Sequence, residues 1–247
     1  KKKITIIGAT SGDTGAAAID AFKNKKTMEV FIFHPVGKIS EIQRKLMTTV
    51  NSKNIHNIAI KGNFDDCQKI VKKLFVDPSL KKKFNLSTIN SINWARILFQ
   101  IIYYFFSVAK IKTNKNSKIS FSVPSGNFGN IYSGYAAKKI GLQLDKLIIA
   151  TNSNDILSTF TNKGIMELKT VKQTITPSMD IQLPSNLERF FFDLFKCKTK
   201  TVNRNLKKLF KNKKMKIDKK KVKQTQKFFQ ACRISERETI NMIKEIF

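Results

Sequence analysis

Short runs of β-branched and aromatic residues alternate along this chain with stretches whose apolar positions recur three and four apart. Lys3 to Ile7, K-I-T-I-I, is the first such run and predicts a buried strand. Gly8 to Gly15 is a loop of small residues, and Ala16 to Phe22 predicts a helix with Ser11 or Asp13 available as N-cap. Val30 to His34 predicts a second strand ended by Pro35, with a helix from about Ser40 to Thr49 behind it. Asn54 to Ile60 reads as a third strand, and Phe64 to Phe75 as a helix capped near Asn63 and stopped before Pro78. After a Lys-rich loop, Ser91 opens an apolar helix running to about Lys110. Ile119 to Val123, Asn127 to Ile140 and Leu147 to Ala150 then continue as strand, helix and strand.

This alternation predicts an α/β fold with mostly parallel twisted sheets and helices on both faces. Such sheets place ligands beyond the carboxyl ends of their strands. Two domains are expected, 1–112 and 113–247. The longest apolar stretch, Ile97 to Ala109, is interrupted by Gln100 and Ser107. It falls short of the ~20 residues a spanning helix needs, so it reads as a buried helix. Leu206, Leu209 and Phe210 recur at helical spacing, which predicts a basic-faced surface helix followed by a second one ending at Phe247.

Composition changes this picture in one respect. The formal charge is +30, which taken alone points to nucleic acid or an anionic membrane surface. Yet 41 of the 47 basic residues are Lys, whereas readers of bases and phosphates lean on the bidentate fork of Arg. From Lys196 to Lys223, fourteen basic residues face the single acid Asp218, and a solvated face is the expected reading. Lys, Asn, Ile and Phe are together in excess, as an A+T-rich coding sequence would produce, so neither a nucleic-acid nor a membrane partner is expected. Cys67, Cys197 and Cys232 are isolated and the N-terminal stretch lacks the apolar core of a secretory signal, which predicts a cytoplasmic location. His34 and His56 are the only histidines, leaving little for a His-based triad or a multi-His metal site.

Three stretches carry candidate chemistry. In G-A-T-S-G-D-T-G (8–15), a strand, a glycine-rich turn and a helix start form a candidate anion site, because backbone N–H groups and the helix dipole both favour negative charge there. Neither a Walker loop nor the dinucleotide fingerprint fits, since no Lys follows Gly15 and the glycines are spaced G-x-x-x-G-x-x-G. An ordinary capped strand-to-helix turn is the alternative. S-V-P-S-G-N-F-G-N (122–130) repeats the arrangement, with Pro124 as a bend and Gly126 and Gly129 allowing amides to converge on an oxyanion. In N-S-I-N-W-A-R (90–96), Ser91 is a natural N-cap, and Asn93 and Arg96 stand three apart on one predicted helix face. An Arg on so apolar a helix suits a phosphate dianion, with solvent or a nearby carboxylate as alternatives.

The word A-T-S-G-D-T-G-A-A resembles the substrate loop of the threonine synthase family, pyridoxal-phosphate enzymes of fold type II (tryptophan synthase β-like). The resemblance extends in order from about Ile4 to Leu194. It includes H-P-V-G-K-I-S (34–40), G-N-F-D-D-C-Q (62–68) and A-T-N-S-N-D (150–155). It implies the conversion of O-phospho-L-homoserine and water to L-threonine and phosphate. By position it implies that Gly126, Asn127, Phe128, Gly129 and Asn130 hold the phosphate of pyridoxal 5'-phosphate. Asn90, Ser91, Asn93 and Arg96 would hold the phosphate of the substrate. Ser11, Gly12 and Thr14 would meet the substrate, while Asp13, a carboxylate in an anion site, is assigned to cofactor or substrate positioning.

The family's cofactor lysine lies in a segment with no counterpart here, and its C-terminal hydroxyl to the pyridine nitrogen is likewise unmatched. The chain therefore reads as the middle of a longer protein and no lysine in it is called catalytic; alone it is expected to be inactive. The rival readings are another fold type II lyase (a dehydratase or phospholyase) and a non-enzymatic basic anion- or nucleic-acid-binding protein. Oligomeric state stays open.

Overall fold

The computed structural model describes residues 3–90, 93–111 and 117–247. It divides into two compact units, Lys1–Asn93 and Trp94–Phe247. The sequence-based boundary after residue 112 and this one differ by a single helix, Trp94–Lys110, which packs with the second unit.

The first unit alternates β1 (Ile4–Ala9), α1 (Asp13–Phe22), β2 (Met28–Pro35), α2 (Glu41–Thr48), β3 (Ile55–Ile60), α3 (Phe64–Val76), α4 (Pro78–Lys83) and β4 (Asn85–Thr88). Its four strands form one parallel sheet in the order β3-β2-β1-β4. Alternation along the strands sends Ile6, Val30 and Ile32 to one face, where they pack with Ala18 and Ile19 of α1 and Met47 of α2. Ile7 and Phe33 face the other way, onto Cys67 and Val71 of α3. The strands are thus covered on both sides, as buried parallel sheets require. Local signals set the helix starts. Ser40 accepts from the Gln43 amide to cap α2, and Asn63 forms a reciprocal capping box with Asp66 at α3. Asp77 caps α4, whose Pro78 sits where a missing N–H costs nothing. Both α4 and β4 lie in the stretch read from sequence as a Lys-rich loop.

The second unit runs α5 (Trp94–Lys110), β5 (Phe121–Pro124), α6 (Gly129–Lys139), β6 (Leu147–Thr151), α7 (Ile156–Lys163) and β7 (Ile165–Glu167). A 3₁₀ turn (Pro177–Met179) follows, then α8 (Leu187–Leu194), α9 (Thr199–Asn212), β8 (Lys214–Lys216), α10 (Lys219–Phe228), β9 (Phe229–Arg233) and α11 (Glu236–Ile246). β5, β6 and β9 form a parallel sheet, and β7 pairs antiparallel with β8. The core is aromatic: Phe128, Tyr135, Phe190 and Phe229 meet largely edge to face, with centroids 5.1–6.2 Å apart.

Two expectations are corrected. The stretch after α9 is not one helix to Phe247, because F-Q-A-C-R pairs with β6 as a strand between α10 and α11. Pairing with a buried neighbour overrides the local pattern there. Helix α5 forms close to where expected but buries only Ile97, Ile101 and Tyr104 along its length, while Leu98, Phe99, Ile102, Tyr103 and Phe106 are exposed. Among the described residues, no helix is long and apolar enough to cross a membrane.

Candidate active site

The first glycine loop follows β1 and opens α1, at the carboxyl end of its strand. Thr10 organises it. Its hydroxyl is almost fully buried and accepts from the amides of Gly12 (3.0 Å) and Gly15 (2.9 Å). The Ala9 amide is held by the side-chain oxygen of Asn90 at 3.2 Å, and the Thr10 amide by the Phe33 carbonyl at 3.0 Å. Neither Ser11 nor Asp13 caps α1. The N-cap is Gly12, at φ 135°, a left-handed value that favours glycine. Asp13 is instead the first helical residue, where a carboxylate complements the helix dipole. It is exposed and accepts a hydrogen bond from the Gln43 side-chain amide of α2. Ser11 and Thr14 are half-buried on either side of it.

Asn90 and Asn93 close the first unit. Asn90 is buried and couples to β1 through Ala9, so the structure brings it to the base of the glycine loop. Asn93 accepts no place on a helix face, since α5 starts one residue later and its side-chain amide turns back to the Thr88 carbonyl at 3.0 Å. The shared face expected for Asn93 and Arg96 is therefore absent. Ser91 lies outside the described residues. Arg96 stands in the first turn of α5, half-buried, and burial lowers its pKa from the usual guanidinium value.

The second loop follows β5 and opens α6. Phe128 is its N-cap, with left-handed backbone (φ 65°) that sends the ring into the aromatic core, 1% exposed. Asn130 is spent on the loop itself. Its oxygen accepts from Ser125 Oγ (3.0 Å) and the Ile131 amide (2.9 Å), and its NH₂ donates to the Pro124 carbonyl (2.7 Å). Asn127 accepts from Ser185 Oγ at 3.1 Å, and its carbonyl from the Asn186 amide at 3.0 Å. A Cβ on Gly126 would lie 2.9 Å from the Ser178 carbonyl, so only glycine lets the 177–181 segment approach. That segment is tied down by a buried amide network: Asn152 and Asn154 both donate to Asp180, at 2.8 and 3.0 Å. Among the described residues, the backbone N–H groups of Gly126, Asn127, Phe128, Gly129 and Asn130 donate to no protein acceptor. Five successive open amides at a helix N-terminus fit a phosphate dianion.

Arg96 and Asn130 line one groove of about 670 Å³ beside α5, with Gln100, Tyr103 and Tyr104. The Tyr104 hydroxyl donates to the Asn130 carbonyl at 2.8 Å and burial raises its pKa, so it remains a donor. Thr10, Gln43, Asn186 and Asp180 were not singled out in the sequence. The hydroxyl closing A-T-S-G was visible, but its double acceptor role depends on how the loop folds back. Among the described residues, no group of His, Cys, Asp or Glu could hold a metal ion.

Comparison with known proteins places the fold and then the family. No family model matches the chain. Its fold is shared with a pyridoxal 5'-phosphate-dependent aspartate racemase at 9% identity and a TM-score of 0.62 over 99% of this chain. Threonine synthase of Saccharomyces cerevisiae is 45% identical over 258 residues, covering all of this chain and 50% of the yeast protein. Threonine synthase of Pseudomonas aeruginosa is 42% identical, covering all of this chain and 52% of its own length. The structure of pyridoxal-phosphate-bound threonine synthase from Brucella melitensis superposes with a TM-score of 0.85 at 43% identity, over 96% of this chain and 51% of that one. The chain has the α/β fold of the fold type II pyridoxal-phosphate enzymes. Within that class it is a homologue of the threonine synthases, and it spans about half the length of the curated relatives it matches.

Proposed function

We propose that this chain is the part of a threonine synthase that carries the cofactor-phosphate loop and the substrate loop. The reaction is conversion of O-phospho-L-homoserine and water to L-threonine and phosphate. The observation that carries the activity is the 45% identity with a threonine synthase across the whole chain. The pyridoxal-phosphate-bound state of the Brucella homologue and the five open amides of the second loop support the cofactor.

In this reading Gly126, Asn127, Phe128, Gly129 and Asn130 hold the cofactor phosphate through backbone N–H groups. Their side chains serve the protein: Phe128 anchors the loop in the core and Asn130 closes it. Pyridoxal phosphate, when bound, supplies an electron sink that lets protons leave neighbouring carbons. Arg96 holds the substrate phosphate and offsets its charge as it departs, with Asn90, Ser91 and Asn93 fixing the approach to it. Ser11, Gly12 and Thr14 orient the remainder of the substrate, and Asp13 orients the cofactor. The relatives' half that this chain does not span supplies the rest of the machinery, so residues 1–247 alone should not turn over substrate. The three cysteines are all free, which supports a reducing, cytoplasmic setting.

The test is product analysis with the purified holoenzyme and O-phospho-L-homoserine. Threonine and phosphate should appear in equal amounts. A 2-oxo acid in place of threonine would assign the chain to a dehydratase or phospholyase of the same fold.

A further inference from the structure

The Gln43 side chain is held in one orientation by a closed chain of donors and acceptors. Its backbone amide donates to Ser40 Oγ at 3.2 Å, and that hydroxyl donates to Gln43 Oε1 at 3.0 Å. With its oxygen so occupied, the amide presents Nε2 to Asp13, which accepts at Oδ1. The same side chain fills the space over Gly12. A Cβ built there would overlap Oε1 and Cδ of Gln43, so α2 covers the loop at the residue whose backbone (φ 135°) turns the chain into α1. Gln43 therefore touches two consecutive residues of the first loop from a neighbouring helix.

A carboxylate in a loop that serves anions needs a reason to stay there and a fixed direction. The contact made to Asp13 from α2 is a side-chain amide whose orientation is itself fixed, and it gives the carboxylate that direction. We propose that Gln43 is a positioning residue for the substrate loop, acting through Asp13 and Gly12, with Ser40 setting its amide. This rests on the reading that the loop serves substrate and cofactor in a threonine synthase.

The test is a double-mutant cycle in the holoenzyme. Gln43→Glu keeps the size and turns the donor into an acceptor facing Asp13. It should raise KM for O-phospho-L-homoserine about tenfold while kcat moves less than about twofold, and amide hydrogen exchange across residues 11–15 should quicken. In an Asp13→Asn background the amide can donate to the Glu, so adding Gln43→Glu should cost nothing further in KM and should restore slow exchange. An equal penalty in both backgrounds, or exchange unchanged by Gln43→Glu, would overturn the proposal. Quickened exchange with unchanged KM would overturn it too, as the clasp would then serve folding alone. Failure of the wild-type holoenzyme to make threonine would instead sink the functional reading, and the exchange data would still decide whether Gln43 holds the loop.

Discussion

The first loop spends two of its amides on its own threonine, whereas the second keeps a run of amides open. At 10–15, the Thr10 hydroxyl takes the amides of Gly12 and Gly15, and polar side chains at Ser11, Asp13 and Thr14 remain on the rim. At 125–130, the side chains of Phe128 and Asn130 turn to the protein and five amides have no protein acceptor among the described residues. Both follow a parallel strand and open a helix. The same strand–glycine–helix plan thus yields one loop suited to directed contacts with a changing substrate and one suited to a fixed phosphate. What separates them is where the buried hydroxyl is spent: Thr10 accepts from two amides of the first loop, whereas Ser125 in the second donates to Asn130 Oδ1 and leaves the amides of 126–130 alone.

The largest effect should come from breaking the open backbone. In Gly126→Val, the new side chain would meet the Ser178 carbonyl and Ile181, each 2.9 Å from the Cβ position, and the loop must shift. The purified holoenzyme should lose its cofactor's visible absorbance. Full occupancy in this variant would remove 126–130 from the cofactor site.

Arg96→Leu should act next and on the other phosphate. A charge-assisted bond is worth about 1.5–3 kcal/mol, so kcat/KM for O-phospho-L-homoserine should fall on the order of 10- to 100-fold. Cofactor absorbance should stay intact. If cofactor is lost and substrate use survives, the two phosphates have been assigned the wrong way round.

Thr10→Val sharpens the contrast from the side of the closed loop. The isosteric change leaves the amides of Gly12 and Gly15 without their acceptor, and each unpaired buried donor costs about 1–3 kcal/mol. Denaturant unfolding should report a stability loss of about 2–4 kcal/mol, with cofactor occupancy retained. A neutral variant would mean that Thr10 does not organise the loop.

The smallest effect is expected from the charge. Lys200, Arg204, Lys207, Lys208 and Lys211 share one side of α9, but it is a solvated face on this account. Binding to duplex DNA should be sequence-blind and collapse between low and physiological salt. Tight binding at physiological salt would revive a nucleic-acid role.

Much of this was legible because the signals were local. K-I-T-I-I before a small-residue loop and an Ala-rich helix marked β1 and α1. Ser40 and Asn63 marked helix starts whose caps the structure contains, whereas Pro78, read only as a stop, opens α4 behind its cap Asp77. β4 was missed because N-L-S-T is short, polar and an edge strand, made visible only by its pairing with β1. β9 was missed because F-Q-A-C-R is a strand only beside β6. In the site, the glycines and Arg96 could be read as residue types. That Phe128 would point inward, that Thr10 would consume two amides and that Gln43 would reach Asp13 all depend on where the chain returns in space.

The measurement that bears most directly on the contrast between the loops is backbone amide NMR of the apoenzyme titrated with pyridoxal phosphate. The account predicts that the largest shifts fall on the amides of Gly126 to Asn130. The amides of Gly12 and Gly15, already donating to Thr10, should scarcely move. Large shifts at Gly12 and Gly15 with 126–130 unmoved would contradict it.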